Sequence, residues 1–543
     1  MPRRYSKEKP RQNLKNQSSC SDPSPLLLSA HLKPEEVFQI LRPYGFQNPI
    51  KADANLQAMA GFPQERQVLS RILGELLAAI SQSADPDQAL NEWERYLQAG
   101  INRGQLFQFL AQTPRLLNLL CTIFGNSPAM AQTLLRDPLL VYWLGENSTI
   151  LHTPTLAHFT HTLDTTVNTF TTLELKLEAL RRFTRREMLR IGIRDLFRQA
   201  SVVETVTSLS DLASAVIQAA YKIVETDLRT RHGIPVHRDR YGKEKETGFV
   251  ILGMGKLGGG ELNYSSDVDL IYLHESSEGK TQTAKGQRSI SNEMYFESLA
   301  RTLTSVLTEA TQEGIVFRVD LRLRPEGSSG PLTRSLDEAI RYYESRGRPW
   351  ERLAFIKAWP IAGEKRLGQV FLRRLRLFVR GSKNTPPQAI LETVRSLKLQ
   401  IQSKMVRRGE SDRHVKLGTG GIREIEFIVQ ALQLLHVARF PQVMKRNTLE
   451  ALASLREVKA LSKRIAEQLA QSYIFLRDVE HKLQMENELQ THVIPQDVTE
   501  VARCAIRLGY AKASTPQETA SPFLDDYRRH ASRVHHLYKQ IIG

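Results

Sequence analysis

Apolar residues recur along this chain at two different periods, and the change of period marks its organisation. Residues 26–230 read as nearly all helix: Leu173, Leu177 and Leu180 keep helical spacing, with charges on the other faces. The apolar run Phe249-Val-Ile-Leu252 predicts a strand at 248–253, and a second strand follows at 267–273. Tyr295, Leu299, Leu303, Val306 and Ala310 form one stripe of a helix near 291–311. Between 315 and 324 the period is two. Ile315, Phe317, Val319, Leu321 and Leu323 take one face, and Arg318, Asp320, Arg322 and Arg324 the other. Helices are predicted around 335–347 and 350–358. From Pro386 the chain is helical again, with Leu391, Val394, Leu397, Ile401 and Met405 on one face.

These shifts predict four parts: a disordered basic tail (1–25), a helical N-terminal region (26–235), a strand-and-helix domain (236–385) and a helical C-terminal domain (386–543). The polar, turn-rich stretch 232–247 marks the middle boundary. No internal repeat is visible.

Composition narrows the class. At 543 residues, 41% hydrophobic and 24% charged, the chain is an ordinary globular protein. No apolar run reaches the length of a membrane span, and the start lacks a signal peptide's apolar core. Cys20, Cys121 and Cys504 lie far apart without metal-ligand spacing, which points to a reducing, cytoplasmic setting. The net charge is +17. Residues 1–20 hold six basic and one acidic side chain, and residues 371–408 hold ten and one, so most of the excess sits in two stretches. Neither carries an aromatic stacking pattern, so nucleic acid is not the expected partner.

The chemistry concentrates between Leu252 and Pro325. Gly253-Met-Gly-Lys-Leu-Gly258-Gly259-Gly260 is followed by Ser265-Ser266-Asp267-Val-Asp269, and then by Arg318-Val-Asp320-Leu-Arg322-Leu-Arg324-Pro325. Strand residues two apart share a face, so Asp267 and Asp269 project together, roughly 7 Å apart along the chain. Such paired carboxylates suit divalent ions that also hold phosphate oxygens. Arginine forks beside Asp320 suit phosphate. Gly253, Gly255 and Gly258 also spell a dinucleotide fingerprint, but only eight residues separate Gly258 from Asp267, too few for a parallel crossover. Gly418-Thr-Gly420-Gly421 precedes another helix. It is either an anion site aided by Arg423 or a simple chain reversal. Lys256 and Lys357 read as peripheral or solvated.

These motifs, with Tyr342-Tyr343, Trp350-Glu351-Arg352 and Gly420-Gly-Ile-Arg-Glu-Ile-Glu-Phe427, resemble the glutamine synthetase adenylyltransferase family over roughly residues 170–540. That family is a member of the DNA polymerase β-like nucleotidyltransferase superfamily. The resemblance implies an α+β fold, a mixed nucleotidyltransferase sheet at 236–385 flanked by large all-helical regions. It also implies one half of a two-half enzyme, and the wording Gly-Gly-Gly-Glu-Leu-Asn-Tyr-Ser-Ser-Asp resembles the half that removes AMP from a tyrosine of glutamine synthetase. Asp267, Asp269 and Asp320 would hold two Mg²⁺ ions. Gly259, Gly260, Ser265, Ser266, Arg318, Arg322 and Arg324 would bind nucleotide or phosphate. ATP, ADP and orthophosphate are the implied small substrates and products. Glutamine synthetase is the implied protein substrate, and a PII-type signalling protein a second partner. Adenylyl transfer from ATP, or a regulatory binding module without catalysis, are the alternatives.

Overall fold

The computed structural model describes residues 22–146, 150–284, 288–381, 386–409, 412–487 and 491–543. The basic tail and Cys20 lie almost wholly outside these. Packing divides the chain at Leu139/Leu140, inside the helical N-terminal region rather than at its end. The first unit is helical. Proline opens most of its helices, among them Pro63–Ser81, Pro86–Gln98 and Pro114–Asn126, where a missing N–H costs nothing. Its core is built on the fully buried Trp93, Tyr96, Phe107 and Phe124.

The second unit holds two sheets. β1 (Ile234–Arg238) pairs antiparallel with β2 (Glu244–Glu246) and with β5 (Lys280–Gln282). The larger sheet runs β6 (Val319–Asp320), β4 (Val268–His274), β3 (Phe249–Gly253), β8 (Trp359–Gly363), with β7 (Thr333–Ser335) also on β4. β3 pairs antiparallel with β4 and β8, whereas β6 and β7 run parallel to β4. The sheet is therefore mixed, and the antiparallel β3–β4 pair rules out the dinucleotide-binding crossover.

The alternation of side chains decides where the aspartates go. Phe249, Ile251, Leu270 and Tyr272 pack into a core with the Val202–His232 and Asn292–Thr308 helices. Val250, Leu252, Ile271 and Leu273 pack on the other face, with the Leu336–Arg346, Ile422–His436 and Lys463–Asn487 helices. Asp269 shares the face of Ile271 and Leu273, so it points toward the C-terminal helices. Burial of each large apolar side chain in these layers contributes about 1.5–3 kcal/mol.

One predicted strand is largely absent. Of residues 315–324 only Val319 and Asp320 are strand. Ile315 is 45% exposed while its neighbours Val316 and Phe317 are both buried, which breaks the period of two. Beyond β6, the Asp320 carboxylate accepts a hydrogen bond from the Arg322 amide at 2.8 Å, turning the chain toward Pro325.

Candidate active site

Between β3 and β4 the chain makes one short helix, Gly255–Gly259, ended by Gly260 in the left-handed region (φ +69°). Gly255 has φ +51°, and a Cβ there would stand 2.5 Å from Asp269 Oδ2. Glycine thus leaves room for that carboxylate. Asp269 and Asp320 are direct neighbours in the parallel β4–β6 register, and Asp267 immediately precedes β4.

All three aspartates line one cleft of about 490 Å³, together with Ser265, Ser266 and Arg322. Its opposite wall comes from the C-terminal helical part: Leu397, Ile401, Lys416, Arg423, Glu426, Phe427, Gln430 and His492. Burial raises the Asp269 carboxyl to about 6, helped by the negative charges of Asp320 and Asp267. Asp320 instead lies below the usual carboxylate range because Arg322 hydrogen-bonds it, its Nε 3.0 and 2.9 Å from the two oxygens. Arg318 donates from Nε to Asp267 Oδ1 at 3.0 Å and also binds the Ser265 carbonyl. With Arg318 and Arg322 so placed, the described residues present no group of three or more His, Cys, Asp or Glu side chains that could hold a metal ion. The donor set is nonetheless all oxygen, which is the chemistry a hard cation suits, and Asp269 makes no ion pair among the described residues, although the charges of Lys416 and Arg423 act on it.

Several expected site residues fall elsewhere. Arg324 lies outside the cleft: it donates to the carbonyls of Leu321 (2.8 Å), Gly330 (2.9 Å) and Pro331 (3.0 Å) and holds its own loop. Gly259 and Gly260 line a separate recess with Trp359, Lys365 and Arg446, not the aspartate cleft, because the short helix turns them away. Lys256 and Lys357, in contrast, do line the aspartate cleft, and each is held in an ion pair rather than solvated. Lys256 pairs with Glu480 at 2.9 Å, and the buried Lys357 sits between Glu261 (2.6 Å) and Glu426 (2.7 Å). The Gly418–Gly421 turn is a packing device. Gly420 (φ +72°) abuts the Ala531 carbonyl, and the Ile422 and Arg423 amides donate to Val415 (3.0 Å) and Lys416 (2.9 Å). Those amides are therefore not offered to an anion. Lys416 and His492 carry no periodic or motif signal that would single them out in the sequence. The nearest pointer to Lys416 is the glycine turn two residues on.

No helix among the described residues is long and apolar enough to cross a membrane. Residues 117–374 match the family model of glutamate-ammonia ligase adenylyltransferase, and residues 395–542 match that of the GlnD PII-uridylyltransferase. Similar curated proteins carry the name bifunctional glutamine synthetase adenylyltransferase/adenylyl-removing enzyme. That of Nitrosococcus oceani is 37% identical over 83% of this chain and 45% of its own length. Those of Pseudomonas aeruginosa (40%; 67% and 35%) and Brucella melitensis (40%; 64% and 34%) are similar too. The chain spans less than half the length of these relatives. Residues 117–374 of the chain thus carry the domain that defines the glutamate-ammonia ligase adenylyltransferase family.

Proposed function

We propose that this chain is a cytoplasmic, Mg²⁺-dependent nucleotidyltransferase that removes AMP from adenylyl-tyrosine on glutamine synthetase. Phosphate is the attacking group, the products are ADP and unmodified enzyme, and the effect is to regulate nitrogen assimilation. The observation that carries this reading is the convergence of Asp267, Asp269 and Asp320 on one cleft beside Ser265 and Ser266. In the proposal the three carboxylates hold two Mg²⁺ ions, which supply positive charge to the phosphate oxygens when bound. Ser265 and Ser266 orient the adenylyl phosphate through their hydroxyls. Arg322, 76% exposed at its side chain, reaches from Asp320 toward the entering group. The strand-and-helix part at 236–385 carries the carboxylates, and the helical part at 386–543 closes the cleft over them. A PII-type signalling protein is proposed as a second partner, on the match of residues 395–542.

The direction of transfer rests on the motif wording of the removing half and on the relatives' names, which include adenylyl removal. Incubating adenylylated glutamine synthetase with this protein, Mg²⁺ and phosphate is expected to release ADP. Release of AMP without phosphate, or net AMP addition from ATP with no removal, would overturn the assignment.

A further inference from the structure

The two walls of the cleft differ in how their charges are met. On the sheet side, Arg322 is engaged by Asp320, and Arg318, which does not itself line the cleft, holds Asp267. On the helical side, Lys416 lines the same cleft, and among the described residues its ammonium has neither a hydrogen bond nor an ion pair. Arg423 places one nitrogen 3.2 Å from Glu426 Oε2, but its Nε is buried with no partner. Burial, and then the charge of Arg423, draw the Lys416 ammonium below its usual range. The charges of Glu480, Glu426 and Asp269 act on it the other way, yet none of these carboxylates comes within ion-pair distance of it among the described residues. The backbone holds the pair together. Arg423 N donates to the Lys416 carbonyl at 2.9 Å, and a Cβ on Gly421 would collide with that same carbonyl. Because the first amides of the Ile422–His436 helix are already used, only side chains can receive an anion here.

We propose that Lys416 and Arg423 form the seat of the orthophosphate that attacks the adenylyl phosphorus. This rests on the phosphorolytic reading given above. An oxygen of hydrogen phosphate bonds to the adenylyl phosphorus. The bond from phosphorus to the tyrosine oxygen breaks, its electron pair staying on that oxygen. The proton of the hydrogen phosphate passes to the tyrosine oxygen, so the total charge is the same before and after. Two cations here meet the charge of a phosphate dianion with side-chain donors, on the part of the cleft that the three carboxylates do not occupy.

The test is steady-state ADP release from adenylylated glutamine synthetase, with phosphate and protein substrate varied separately. Lys416→Met is expected to raise KM for phosphate about tenfold or more, the scale of one lost charge-assisted contact, while KM for adenylylated glutamine synthetase stays within about twofold. Lys416→Arg is expected to recover most of the phosphate affinity. Since Lys416 makes no hydrogen bond or ion pair among the described residues, its replacement is expected to leave the melting temperature unchanged or higher. Should Lys416→Met fail to fold, Lys416→Gln and direct calorimetric titration of inorganic phosphate into the full chain read the same seat. A phosphate KM unchanged in a folded variant, or an equal rise in both KM values, would overturn the proposal. If the wild-type protein releases ADP in proportion to phosphate and the variant does too, only this inference falls. If the wild type shows no phosphate dependence, the phosphorolytic reading falls first.

Discussion

Two sets of charges lie within one unit of this protein and are built in opposite ways. Around Lys357 every charge is met: its ammonium donates to Glu261, Glu426 and the Thr448 hydroxyl, all of them buried. Burial alone would lower Lys357, but the two glutamates hold it above the usual lysine range. In the cleft that Lys357 and Glu426 also line, Asp269 is pressed by burial and by two like charges, and Lys416 makes no ion pair among the described residues. The first set ties the glycine turn to the C-terminal helices. The second leaves both signs of charge incomplete, which is what a site for an ion and an anion requires. Partner satisfaction, not the number of charges, separates structure from function here.

The largest expected effect comes from breaking the closed set. Lys357→Met leaves the buried Glu261 without its counter-charge and Glu426 with Arg423 alone, and a loss of about 3–5 kcal/mol is expected in urea denaturation. A loss below about 1 kcal/mol would show that the set is not closed.

Neutralising the open set is expected to do the reverse. With metal chelated, the native Asp269 carboxyl keeps its proton to about pH 6, whereas the unfolded chain loses it near 4. The folded state then binds more protons, so stability falls as pH rises from about 4 to 6 and stays reduced above that. Asp269→Asn is expected to remove this slope and to gain on the order of 1–3 kcal/mol at pH 7 without metal. Identical pH profiles for variant and wild type would contradict it.

The smallest effect is expected at Arg324, which belongs to neither set. Arg324→Ala frees the carbonyls of the 321–331 loop, with a loss of about 1 kcal/mol and faster proteolysis confined to that loop. If phosphate affinity collapsed instead, Arg324 would have to reach the cleft.

Much of the open set is legible in the sequence because its geometry is local. A D-x-D after an apolar strand fixes which face the carboxylates share, and the arginines flanking Asp320 announce an anionic site. The closed set is illegible for the opposite reason. Lys256 meets Glu480 across 224 positions and Lys357 meets Glu261 across 96, and no pattern near either lysine encodes such partners. The same distance hides Lys416. The helical regions, β3 and β4 follow from apolar period and chain reversal. The 315–324 strand fails because Asp320, read only as a strand residue, also accepts the amide that starts a turn.

The most direct measurement is the Mg²⁺ dependence of stability. The urea midpoint of the wild-type chain is expected to rise with Mg²⁺, because an ion bound only by the folded cleft adds to stability by mass action. Asp269→Asn is expected to lose that rise, while Lys357→Met, though far less stable, keeps it. An equal Mg²⁺ response in Asp269→Asn and wild type, or none in either, would contradict the assignment of the open carboxylates to an ion site.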